Sequence, residues 1–338
     1  MAAATQRPAP ALVDLRQISA ARLQTLLDEE IAEWLTRLGW DFRPSAELVQ
    51  RYVALGSLNG FALSFGGEVV GYTYYVHEER KGLIGDLYLK KAHYRMRHEV
   101  DLIRASLDSL FQVYFVERVE SQLLLLQAPG RVPLPYPEML SVHPRYLMVA
   151  AVSSSVRLPP HPAAKRALIC NWTARYQEDA ARVISAAYAR HIDSLVNDQY
   201  RSLNGARRFL NNIVQYPGCG VFCPQASFVA MEGMTGEMCG VSLASILSPG
   251  VGHITQICVL PRMQGMGFGY ELLRRSLLAL RESGCTRASL TVTAANAGAV
   301  RLYDRVGFRR LREFSALVWD RNTAIHGRSP IAGEPKPR

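Results

Sequence analysis

Three glycines spaced two apart, Gly265, Gly267 and Gly269, stand between an apolar run, His253 to Leu260, and a segment from Tyr270 to Leu278 whose apolar residues recur at helical spacing. A glycine-rich turn that opens a helix can hold an anion. The first amides of a helix have no acceptor within it, the dipole is positive there, and a residue without a side chain lets a phosphate approach the main chain. Two common nucleotide motifs do not fit. The spacing is not that of the dinucleotide fingerprint, and no Gly-Lys-Ser/Thr follows to make a nucleotide loop.

A second segment carries further chemistry. A predicted strand, Arg287 to Thr293, leads into Asn296-Ala297-Gly298-Ala299-Val300-Arg301-Leu302-Tyr303-Asp304-Arg305-Val306-Gly307-Phe308. Together the two segments resemble the GNAT superfamily of acyl-CoA-dependent acyltransferases. The resemblance lies in Gln264-x-x-Gly267-x-Gly269 and in Asn296-x-x-Ala299-x-x-Leu302-Tyr303-x-x-x-Gly307-Phe308, which match in order and spacing. It implies that the turn Gln264, Gly265, Met266, Gly267, Phe268 and Gly269 binds the coenzyme A diphosphate. It implies that Cys258 and Val259 pair with the pantetheine arm through their backbone, that Asn296 lies beside that arm, and that the Tyr303 hydroxyl lies near the thioester sulfur. The cosubstrate would be acetyl-CoA or another acyl-CoA, and the acceptor a small-molecule or amino-acid-like amine.

Acyl transfer to an amine needs a base for the ammonium, a donor for the oxyanion and an acid for the thiolate, whose pKa is about 8.5. Tyr303 is the expected acid; the alternative is that it only packs and positions the thioester. Many members of the family carry a glutamate on the strand before the glycine turn, where this chain has Thr255 and Gln256. His253 is the candidate base, because strand alternation would put it on one face with Thr255 and Ile257. A water chain, a residue from elsewhere, or a plain strand-end histidine are the competing readings. Tyr188, His191, Asp193, Asn197, Asp198, Gln199 and Tyr200 lie where the family places its acceptor. They read either as that site, with Asp193 or Asp198 pairing an ammonium, or as a solvated helix end.

The elements that must position these residues occur twice. Leu15 to Trp40 and Ala46 to Ala54 read as helices, followed by a hairpin from Phe61 to Val76 turning at Gly66-Gly67. Tyr176 to Leu195 and Ala206 to Gln215 repeat the helices, and Ser227 to Ile246 repeats the hairpin. Gly67-Glu68-Val69-Val70-Gly71 and Gly236-Glu237-Met238-Cys239-Gly240 mark equivalent points. The strand Leu83 to Leu89 precedes a segment without the glycines, in which Arg97 and Glu99 fall near the places of Gly267 and Gly269. No Asn and Tyr motif follows it.

The expected fold is therefore α/β, two tandem GNAT-like domains, each a mostly antiparallel mixed sheet flanked by helices. Residues 1–152 form a degenerate domain that has lost coenzyme binding, 153–166 a proline-rich linker, 167–320 the catalytic domain and 321–338 a disordered tail. At 338 residues the chain exceeds the size of one core. No apolar run reaches a membrane span and no secretion signal opens the chain, so a cytoplasmic protein without a membrane partner is expected. The six cysteines are scattered, and Cys219-x-x-x-Cys223 has no second pair to complete a metal site, so none is expected. The net charge of +10 places +3 in Arg321 to Arg338, four Lys/Arg against one Glu, and the rest makes no aromatic-flanked basic stripe. Nucleic acid is not expected as a partner. A non-catalytic acyl-CoA sensor is the alternative to an N-acetyltransferase.

Overall fold

The computed structural model describes residues 9–162, 166–216 and 218–326. In chain order the elements are β1 (Ala11–Asp14), α1 (Gln24–Leu38), α2 (Arg43–Ala54), β2 (Gly60–Phe65), β3 (Glu68–Glu78), β4 (Lys81–Leu89), α3 (Met96–Gln112), β5 (Arg118–Ser121) and β6 (Leu140–Ala151). They continue with β7 (Ala167–Asn171), α4 (Gln177–Tyr188), α5 (Asp193–Val196), α6 (Leu203–Gln215), β8 (Val221–Phe222), β9 (Phe228–Glu232), β10 (Met238–Ser248) and β11 (Val251–Val259). The last are α7 (Phe268–Glu282), β12 (Arg287–Thr293), α8 (Ala297–Val306), β13 (Arg309–Asp320) and α9 (Arg321–His326).

Two compact units emerge, and they cut across the expected 1–152 and 167–320 segments. The first comprises the chain up to Glu29, Val49–His143 and the chain from Ser315; the second comprises Glu30–Leu48 and Pro144–Phe314. Strand exchange is the reason. The end of β13 pairs antiparallel with β5, Leu317 opposite Ser121 through Asp320 opposite Arg118, so the late part of the chain completes the first unit. The second half of β6 pairs along all of β12, Arg145 opposite Thr293 through Ala151 opposite Arg287, so a strand from the first half completes the second unit. The expected linker opens with a short 3-10 turn, Val152–Arg157, and its residues 163–165 lie outside the described residues. Of the expected disordered tail, Arg321–His326 is helical and 327–338 lies outside the described residues.

Within the second unit the strand order is β6-β12-β11-β10-β9-β7, with β8 on β10. Helices α7 and α8 bury Phe268, Leu272, Leu273, Leu277 and Val306 on one face, and α4 and α6 bury Ile184, Ala206 and Leu210 on the other. Both hairpin neighbours of the parallel pairs carry a bulge at the same place. The β10–β11 register slips between Leu243 and Ala244, and the β3–β4 register between Tyr74 and Tyr75. The bulge inserts Thr255 and Gly85 respectively, so alternation of faces breaks there.

The first unit, with order β1-β2-β3-β4-β5-β13, repeats this plan and fills in its opening. Helix α3 starts after Arg95, whose φ of −146° is ordinary extended backbone. Counted from the helix start, Arg95 stands at the place of Gly267, Arg97 at that of Gly269 and Glu99 at that of Glu271. The expected equivalences are thus corrected by two residues. Glu99 is 3% exposed, and its carboxylate accepts the amides of Gln127 at 3.1 Å and Ala128 at 2.7 Å. The segment 122–139, irregular where the second unit has a helix, is thereby tied down with Leu123, Leu126 and Leu134 in the core. Replacing Glu99 by Ala orphans two amides, one of them fully buried. We expect a loss of about 1–3 kcal/mol, read as a lower urea midpoint with unchanged slope; an unchanged midpoint would refute the role.

Candidate active site

β11 and β12 run parallel and then part. They pair from Val251 opposite Arg287 only as far as Ile254 opposite Leu290, although β11 continues to Val259 and β12 to Thr293. Beyond that point β10 serves one side of β11, and the other side faces a wedge. In an antiparallel pair the hydrogen-bonded residues alternate. The Leu260 amide donates to Cys239 O at 2.9 Å, so by alternation Cys258 also turns its main chain to β10, opposite Val241. Ile257 and Val259 therefore turn theirs into the wedge. This corrects the expected pair Cys258 and Val259: the main chain that faces the wedge belongs to Ile257 and Val259, whose carbonyls accept from the Tyr188 hydroxyl and the Gln264 side chain. The Cys258 thiol is buried on the α4–α6 side, and burial pushes it up to about 12.

The glycine turn follows at the wide end of the wedge. Gly265 has φ +74° and Gly267 φ +90°, conformations that favour glycine. Gly267 is the N-cap of α7, and its carbonyl accepts the Glu271 amide at 3.1 Å. Helix geometry leaves the amides of Phe268, Gly269 and Tyr270 without a partner inside α7. Gly269 meets the Leu302 and Val259 methyls only at ordinary contact, 3.8 Å from where a Cβ would stand. A Cβ on Gly267 would collide with the His161 ring. The segment before that histidine lies along α7: Arg274 donates to Leu158 O at 2.8 Å, Tyr270 to Pro159 O at 3.0 Å, and Glu271 accepts the His161 amide at 3.1 Å. The Gln264 side-chain Nε2 donates to Val259 O at 3.3 Å, closing the turn onto the strand.

Side chains gather on the α4–α6 face. The expected helix Tyr176 to Leu195 ends at Tyr188, and the segment after it reaches across the wedge. Tyr188 and Tyr200 stack at 4.3 Å. The Gln256 side-chain Nε2 donates to the Tyr188 hydroxyl at 3.0 Å and its Oε1 accepts from Tyr200 at 3.3 Å, while Tyr188 donates to Ile257 O at 3.4 Å. Asp193 accepts a very short hydrogen bond from the Thr293 hydroxyl at the end of β12. Its other oxygen lies 3.3 Å from His191 Nδ1, and Arg145 lies 4.0 Å away. Burial would raise the Asp193 pKa, but the His191 hydrogen bond, the Arg145 charge and the Thr293 hydroxyl outweigh it and hold the carboxyl below its usual range. Burial first, and then the Asp193 charge, raises Tyr303; burial likewise raises Tyr188 and Tyr200. The three phenols stay protonated.

Three comparisons with known proteins bear on this geometry. Residues 192–308 match the model of the acetyltransferase (GNAT) family. Over this region the chain is similar to GNAT acetyltransferases, and the match spans about a third of the chain. N-alpha-acetyltransferase MAK3 of Arabidopsis thaliana is 38% identical over 61 residues, so the match spans 18% of this chain and 32% of that relative. Among solved structures, a GCN5-related N-acetyltransferase from Sphaerobacter thermophilus superimposes with a TM-score of 0.65 at 17% identity, covering 92% of this chain and 95% of that one. A tandem GNAT protein from the clavulanic acid biosynthesis pathway gives 0.56 at 15% identity over 95% and 100% of the two chains. At such identities the likeness is one of fold, and it extends over both halves.

Within residues 192–308 the second motif has a structural duty of its own. The Asn296 side chain caps α8 by accepting the Ala299 amide at 3.2 Å, and Gly307 closes the helix at φ +106°. Tyr303 is held between them, 7% exposed, and shares electrostatic contact with Asp193, Arg145 and Cys258. Arg145 went unnoticed in the sequence because it lies on β6, far from both motifs; only the strand exchange brings it to Thr291, Thr293 and Asp193.

His253 is not at the wedge. It lies in the paired part of the ladder, 4% exposed, with Nδ1 2.8 Å from the Ser289 hydroxyl and the Trp40 ring 5.4 Å away. The bulge also corrects its expected face: Ile254 and Ile257 pack on the α7 layer, which leaves His253 on the opposite side from Ile257. Burial pushes the imidazole down to about 4. The folded chain therefore refuses a proton that the unfolded chain accepts near pH 6.5. Stability is complete above that pH and falls as pH drops from 6.5 towards 4, by about 3 kcal/mol. Urea unfolding across this range is expected to show the decline and to show it flattened in His253→Gln; equal slopes in the two proteins would contradict a buried neutral histidine.

Proposed function

We propose that the chain is an acyl-CoA-dependent N-acetyltransferase whose second unit carries the reaction and whose first unit does not bind coenzyme. The wedge between β11 and β12, ending in a glycine turn with two left-handed residues, carries this reading. Ile257 and Val259 present main-chain groups at the spacing an extended pantetheine arm needs to add as a strand. The amides of Phe268, Gly269 and Tyr270 suit a diphosphate. Asn296 and the α8 start lie beside that arm. Acetyl-CoA would supply an activated acyl carbon and a thiolate leaving group.

The residues around the wedge suit acyl transfer to an amine. Tyr303, held protonated, can donate to the leaving sulfur. Thr255, extruded by the bulge, bonds Leu243 O at 3.0 Å, and the distorted main chain there offers a donor for the oxyanion. Gln256 is committed to two tyrosines, so it positions the acceptor wall. His253 acts in folding. The acceptor is an amine of small-molecule or amino-acid-like class, approaching past Tyr188, His191 and Tyr200. Unpaired thiols throughout suit a reducing, cytoplasmic setting, and among the described residues no helix is long and apolar enough to cross a membrane.

A coenzyme A release screen over polyamines, amino acids, aminoglycosides and peptide N-termini tests the reaction. Calorimetry tests the binding: Gly269→Ala should stay within about threefold of the parent for coenzyme A, and Gly267→Val should weaken it by more than ~10-fold through the strained φ and lost approach. Tyr303→Phe should bind coenzyme normally and turn over ~10²-fold more slowly. Undiminished binding in Gly267→Val would sink the cradle, and an undiminished rate in Tyr303→Phe would remove it as acid.

A further inference from the structure

The transfer reading leaves the ammonium without a base, and the segment that bridges the wedge offers one. Tyr188 fastens one end of that segment to the β11 arm through Ile257 O, 3.4 Å away. Asp193 fastens the other end to the β12 arm through Thr293. His191 lies between these anchors, its ring edge-on to Tyr188 at 5.2 Å and its Nδ1 3.3 Å from Asp193 Oδ2. Its side chain is 29% exposed, against 14% for Asp193, so an incoming molecule can reach it while the carboxylate behind it stays covered.

We propose that His191 is the general base of the acyl transfer and that Asp193 is its positioning residue. The proposal rests on the transferase reading above. Nδ1 has two neighbours: the Asp193 carboxylate and the Asp193 amide at 3.2 Å. A charge-assisted hydrogen bond is roughly twice as strong as a neutral one, so the carboxylate selects the Nδ1–H form. Nε2 then carries the lone pair. The groups on the surrounding elements do not compete for the proton. Tyr188 on α4, Tyr200 before α6 and Tyr303 on α8 are held protonated, the Cys258 thiol on β11 likewise. Arg145 on β6 tempers the Asp193 charge at 4.0 Å without contacting the imidazole in its own hydrogen bonds to Thr291 and Thr293.

The proton balance closes. His191 Nε2 takes one proton from the acceptor's ammonium, and the freed nitrogen lone pair forms the bond to the thioester carbon. The carbon–sulfur bond breaks with its electron pair going to sulfur, Tyr303 donates its proton there, and the new amide's surplus proton refills Tyr303. The His191 proton leaves to solvent, so each turnover releases one proton. Asp193 holds the imidazolium while it lasts, the arrangement by which a carboxylate supports a catalytic histidine.

The probes are acetyl-CoA with the best amine of the screen above and, separately, with hydrazine, whose conjugate acid is far more acidic than an alkylammonium, so that a much larger fraction reaches the site unprotonated. His191→Gln should lower kcat/KM for the amine ~100-fold at pH 7, with the gap narrowing as pH rises, and leave the hydrazine rate within about threefold. Asp193→Asn should lower kcat/KM for the amine while leaving the hydrazine rate within about threefold, because the imidazole loses the partner that orients it. Coenzyme A affinity by calorimetry should not change in either. Equal losses for amine and hydrazine, or an unchanged pH profile in His191→Gln, would overturn the assignment while leaving the transferase intact. Coenzyme binding with no transfer to any amine by the parent chain would remove the reading beneath it as well.

Discussion

Everything at the candidate site depends on two parallel strands that stop bonding to each other. A buried backbone donor or acceptor left unpaired costs free energy comparable to a lost hydrogen bond, so a sheet does not open without a reason. Here β11 and β12 share a ladder only through Ile254 and Leu290, and the bulge at Thr255 re-aims β11 away. The main chain of Ile257 and Val259 faces the opening, its carbonyls accepting from the Tyr188 hydroxyl and the Gln264 side chain. The glycine turn sits where such a partner would carry its charge. Thr293, Asn296 and Tyr303 follow from the second arm, so one parting organises the candidate binding and reacting groups together.

The second unit could not hold those arms in place without a borrowed strand. β12 would be an edge strand, open to unwanted pairing, if Arg145–Ala151 of β6 did not lie along its full length. That strand also delivers Arg145 to the cluster of Thr291, Thr293 and Asp193. The same exchange in reverse gives β5 its neighbour from β13. Each compact unit therefore contains a strand from the other half of the sequence, which explains why the units depart from the repeat boundary.

Both units keep the bulge and the short parallel ladder, β4 with β5 as β11 with β12. What separates them lies in side chains and cap geometry. At the start of α7 a left-handed glycine presents bare amides, whereas α3 starts from Arg95 in extended backbone. Each helix keeps a buried glutamate in its first turn that anchors a neighbouring segment, Glu271 to His161 and Glu99 to Gln127 and Ala128. In the first unit that anchored segment takes the place of α8, and with it goes the tyrosine.

Read alone, the sequence determines what depends on local backbone preference. Glycines at Gly265, Gly267 and Gly307 mark positions of positive φ, the cap at Asn296 and the apolar spacing of α7 and α8 mark helices, and the offset repeat marks a tandem fold. It misjudges whatever depends on non-local pairing. The bulge reverses the face of His253 relative to Ile257, alternate hydrogen bonding moves the wedge-facing backbone from Cys258 to Ile257, and α4 ends at Tyr188, beyond which Asp193 bonds Thr293, 100 residues away. Arg145 joins the site through a strand exchange that no local pattern encodes. A φ preference is written in one residue, but a hydrogen-bond register or a buried ion pair exists only once distant segments have met, and the cluster of Arg145, Asp193 and Thr293 at the candidate site is of that second kind.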